Sequence, residues 1–93
     1  MTRTVTVTRP RILMGFMLNF ILRLEGEQRL LTNGAVVRFE VSGEEHTLEM
    51  LAENNPNVTD LAPLTIPAGE GDVEVRLSVA NDRGRPRWYL ELQ

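Results

Sequence analysis

Ninety-three residues with a net charge of −3, no cysteine and no lysine set firm limits on what this chain can be. A chain of that length holds one domain and buries about 60–65% of the surface its unfolded form exposes. The acidic balance speaks against a nucleic-acid protein, whose affinity comes chiefly from neutralised phosphates, and the missing thiols and amines exclude disulfides, zinc–thiolate sites and Schiff-base chemistry.

Apolar and polar residues alternate with period two along most of the chain, which is the signature of half-buried strands. The first strand is expected from Arg3 to Arg9, with Val5 and Val7 on one face and Thr4, Thr6 and Thr8 on the other. Pro10, which lacks a ladder donor, ends it. A basic start followed by the apolar run Ile12 to Leu24 could pass for a leader sequence. No small-residue cleavage site follows, Asn19 and Arg23 interrupt the run, and it is shorter than the ~20 residues of a membrane span. A cytoplasmic protein without membrane association is therefore expected.

Leu18 to Leu24 reads as the second strand, and Glu25-Gly26 as a tight turn into a short third strand, Gln28 to Leu31. Asn33-Gly34 suits a type I′ hairpin, because both central residues of that turn need positive φ. Val36 to Val41 follows with Val37, Phe39 and Val41 inward, then His46 to Ala52 with His46, Leu48, Met50 and Ala52 inward. Leu61 to Ile66 is an edge strand confined by Pro63 and Pro67. Val73 to Val79 alternates cleanly, a loop spans Asn81 to Pro86, and Arg87 to Leu92 closes the chain with Trp88, Leu90 and Leu92 on one side. Seven to eight short strands without an amphipathic helix predict an all-β fold, an antiparallel β-sandwich of immunoglobulin-like proportions. A small closed barrel is the alternative.

From Arg9 to Met50 the turns follow a recurring order: Arg9-Pro10, Met14-Gly15, Glu25-Gly26, Asn33-Gly34 and the strand start Gly43-Glu44-Glu45-His46-Thr47-Leu48. In this the chain resembles the small bacterial PEGA-like β-sandwich domains. The resemblance implies an interaction or structural module and supplies no catalytic residues.

The chemistry-bearing residues are few. His46 is the sole histidine, and its neighbours Glu44 and Glu45 point to opposite faces of a strand, which does not make a metal site. Ser42 and Ser78 lie outside any nucleophile elbow. No cofactor, metal or catalytic group is expected. The segment Ile12, Leu13, Met14, Gly15, Phe16 and Met17 sets five large apolar side chains in a connection, where polar residues are the rule. If exposed, they form a protein contact surface. Arg-Pro-Arg occurs twice, and the second copy joins Arg83, Arg85 and Arg87 to Trp88 at an expected hairpin tip.

The function expected from these residues is a non-enzymatic protein-interaction or structural module. It would engage a protein partner or a second copy of itself through Ile12, Leu13, Met14, Phe16 and Met17 or through an edge strand. The alternative is capture of an anionic small molecule or carbohydrate by Arg83, Arg85, Arg87 and Trp88, since guanidinium forks grip carboxylate and phosphate in pairs of hydrogen bonds.

Overall fold

A computed structural model describes residues 2–11, 18–53 and 61–93 of the chain. Eight strands form among these residues: β1 (Thr2–Thr8), β2 (Phe20–Leu24), β3 (Glu27–Leu31), β4 (Val36–Ser42), β5 (His46–Ala52), β6 (Leu64–Ile66), β7 (Val73–Asp82) and β8 (Arg85–Leu92). They build two four-stranded sheets, β4-β1-β7-β8 and β3-β2-β5-β6.

The period-two pattern becomes the packing. Val5 and Val7 from β1, Phe20, Leu22 and Leu24 from β2, and Phe39 and Val41 from β4 are buried. Leu31 from β3, Leu48 and Met50 from β5, Ile66 from β6, Val75 and Leu77 from β7, and Trp88 and Leu90 from β8 complete one cluster between the sheets. Each such side chain contributes about 1.5–3 kcal/mol on burial, which neither sheet could gain alone. Leu92 departs from the expected inward set and lies exposed at the chain end.

Three departures from the expected architecture have physical causes. The sandwich is not wholly antiparallel, because β1 and β7 run parallel with Val5 opposite Val73 and Thr8 opposite Arg76. After β6 the chain crosses back at the end of the molecule where β1 begins, so β7 must leave in the same direction. Asn33-Gly34 does not close a hairpin, since β3 and β4 belong to different sheets. Only Gly34 has positive φ there (78°), and Ala35 N–H donates to the Thr32 carbonyl at 3.0 Å, as in a turn with one left-handed residue at its third position. The third departure is at residues 81–86. Arg83 and Gly84, with φ of 53° and 81°, form a two-residue turn of the primed type, so β7 and β8 continue as strands to Asp82 and from Arg85.

The same alternation that buries Val5 and Val7 turns Arg3 and Arg9 inward, one at each end of the core, and both are buried. Arg3 donates from Nη1 to the Gly69 carbonyl (2.6 Å) and from Nη2 to the Pro67 carbonyl (2.8 Å), tying the β6–β7 connection to β1. Gly69 N–H in turn donates to the Gly43 carbonyl at 2.9 Å.

Candidate functional site

The structural opening of this molecule begins with one missing N–H. In β1 the odd residues face β4 with their main-chain groups, as Arg9 N–H donating to the Ala35 carbonyl at 2.9 Å shows. Even residues face β7, and Thr4 N–H is met there by Asp72 Oδ1 at 3.0 Å. Pro10 is the next even position and has no donor, so β1 cannot extend its ladder along β7.

β7 nevertheless runs on to Asp82 and returns as β8. Gln93 N–H donates to the Glu74 carbonyl at 2.9 Å, which identifies the even residues of β7 as those turned to β8. The alternation then turns the N–H and C=O of Val79 and Asn81 the other way, toward the position β1 has vacated. No strand lies there among the described residues. A hollow of about 330 Å³ occupies that side, lined by Pro10, Arg76, Ser78, Val79, Trp88 and Tyr89. The opposite border of the hairpin is blunted, because Pro86, paired with Asn81, removes the outward donor of β8 at that rung.

The two faces of this hairpin differ in chemistry. Inward, Trp88 packs on Phe20 with ring centroids 5.2 Å apart and planes at 57°. The Arg9 guanidinium lies 5.2 Å from the Phe20 centroid and 5.5 Å from that of Trp88, and its Nη1 donates to the Leu31 carbonyl at 2.9 Å. Burial pulls the Arg9 pKa below the ordinary guanidinium value, because desolvation penalises the charged form. Outward, Arg76, Ser78 and Ala80 of β7 stand opposite Glu91, Tyr89 and Arg87 of β8. Ser78 Oγ donates to Glu91 Oε1 at 2.8 Å, and Arg87 lies 5.7 Å from the Tyr89 ring centroid. Arg76, Arg83, Arg85 and Arg87 form no ion pair among the described residues.

The residues expected to carry function are placed unequally. Ile12, Leu13, Met14, Phe16 and Met17 lie outside the described residues. Arg83, Arg85 and Arg87 are exposed on the projecting hairpin. Trp88 does not join them: it is buried on the opposite face, and Tyr89 is the aromatic neighbour of Arg87. The open main chain at Val79 and Asn81 escaped sequence reading, although Pro10 within the first strand's even register was its signal.

His46 behaves as a histidine that opens a strand and bonds across the turn. Its Nε2 lies 3.2 Å from Ser42 Oγ and 3.1 Å from the Ser42 carbonyl, and its Nδ1 meets Glu25 Oε1. The order hydroxyl, imidazole, carboxylate is that of a nucleophilic triad, but the ring is buried and Nε2 is shared with a main-chain carbonyl. The arrangement ties the β2–β3 turn, the end of β4 and the start of β5 together. Among the described residues no three histidine, aspartate or glutamate side chains gather into a metal site.

Comparison with protein-family models, with curated proteins and with solved structures finds no match for this chain.

Proposed function

We propose that this chain is a non-enzymatic protein-interaction module that takes up an extended segment of another polypeptide alongside β7. One observation carries the reading: β1 ends at Thr8, just before Pro10, while β7 continues to Asp82, and among the described residues no strand meets the main-chain groups of Val79, beside the hollow, and of Asn81. An exposed strand edge of this kind is a template for strand addition, in which main-chain bonds give affinity and alternate side chains give specificity. The interaction or structural role implied by the likeness to PEGA-like domains goes with this reading. The apolar segment from Ile12 to Met17 follows Pro10 closely in the chain, and we assign it to the same contact, including contact between copies.

The test uses the ¹⁵N-labelled chain and three capped heptapeptides in which valine alternates with glutamate, lysine or serine. Binding by at least one of them, with slowed amide exchange at Val79 and Asn81, is the expected result. Unchanged exchange at both amides with all three peptides contradicts the proposal.

A further inference from the structure

We infer that the segment received at β7 is acidic, an extended peptide with carboxylates on alternate residues and apolar side chains between them. This inference rests on strand addition at β7 as proposed above, and names its partner. A guest strand continuing the line of β1 places its side chains alternately on the outward and inward faces of the sheet. On the outward face its nearest neighbours are Ser78, Ala80 and Asp82, while Arg76, already opposite Thr8 of β1, borders the hollow one rung back. Ala80 is small, so Arg87, across it on β8, can reach over toward the guest position.

The charges on that face lean positive. Arg76, Arg83, Arg85 and Arg87 stand there against Glu74, Asp82 and Glu91, on a chain whose net charge is −3. Glu91 already accepts the Ser78 hydroxyl, and no carboxylate among the described residues pairs with any of the four arginines. A lysine-bearing segment would be repelled there, whereas carboxylates two residues apart meet guanidinium groups that hold no carboxylate among the described residues. On the inward face the guest lies beside Val79, which is half-buried and packed against the core, so apolar residues fit between the acids.

The closing experiment compares the three heptapeptides on the full chain by amide shifts and by fluorescence of Trp88, the sole tryptophan and a wall of the hollow. The glutamate peptide should bind about tenfold tighter than the lysine peptide, with affinity falling as salt rises. Arg76→Glu with Arg87→Glu should reverse that order while Val79 and Asn81 remain the protected amides. Arg76→Gln with Arg87→Gln, milder in charge, should abolish the preference and serves if the double reversal fails to fold. Equal or tighter binding of the lysine peptide overturns the acidic partner and leaves strand addition standing. Protection by none of the peptides overturns both. A saturable Trp88 response to inorganic phosphate that the glutamate peptide cannot displace also overturns the inference, in favour of small-anion capture.

Discussion

Arg9 offers the most exacting test of how this fold is held together. Its guanidinium is buried at the end of the core between Phe20 and Trp88, and it donates to the Leu31 carbonyl. A desolvated cation–π contact is worth about 2 kcal/mol, and a hydrogen bond from a charged donor about 1.5–3 kcal/mol. Against these stands the desolvation of the guanidinium itself, which lowers its pKa. Arg9→Ala removes every contact of the guanidinium and opens a cavity, so a loss of about 4 kcal/mol is expected. In a domain of this size that lowers Tm by roughly 15 °C or more. Arg9→Met keeps the apolar stem against both rings but loses the donor, and about 2 kcal/mol should go. Urea unfolding followed by Trp88 fluorescence and circular dichroism gives both values. An Arg9→Met variant as stable as the natural chain, or more so, would refute the reasoning, because the guanidinium contacts would then not exceed its desolvation.

Pro10→Val restores an N–H directed at β7, so β1 should lengthen. A newly slow-exchanging amide at residue 10 and about fivefold weaker binding of the glutamate peptide are expected by NMR, since the added strand residue competes for the same edge. Gly43→Ala places a Cβ 2.9 Å from the Gly69 carbonyl oxygen. Main chain cannot swing away as a flexible side chain does, so a loss of about 1–3 kcal/mol should appear in denaturant unfolding. His46→Phe leaves the Ser42 carbonyl and Glu25 without their partner and should lose about 1–3 kcal/mol. Glu25→Gln, at the exposed end of the same contact, should change stability by less than about 1 kcal/mol.

The architecture was legible wherever one period ruled. Val5 and Val7, Phe20 to Leu24, Phe39 and Val41, and Leu48 and Met50 took the faces their spacing assigns, and β5 has the bounds read from its sequence. Turn residues proved less specific than strand parity. Asn33-Gly34 has the strongest hairpin chemistry in the chain yet carries it between sheets, because β4 pairs along its whole length with β1 in the first sheet. Arg83-Gly84, with no asparagine or aspartate at its first position, closes a tight hairpin instead. Long strands on both sides, paired from Val75 opposite Leu92 up to Asp82 opposite Arg85, hold a non-glycine residue in the left-handed region there.

The candidate site was hidden for a different reason. It consists of main-chain groups left over when two strands outrun a third, and no residue type announces a missing neighbour. Arg9 could have been placed from sequence, since Arg3, Val5, Val7 and Arg9 share one parity, but a charged residue at a strand end is ordinarily assigned to solvent. Trp88 shows the converse: adjacency to three arginines suggested a shared tip, and alternation put it on the other face.

Amide hydrogen exchange on the free chain tests the open β7 edge most directly. Ser78 and Ala80, inside the β7–β8 ladder, should exchange slowly, while Val79 and Asn81 between them exchange at least tenfold faster, as expected of amides without a ladder partner. Uniformly slow exchange from Ser78 to Asn81 would mean that the edge is already paired, and would contradict strand addition at this site.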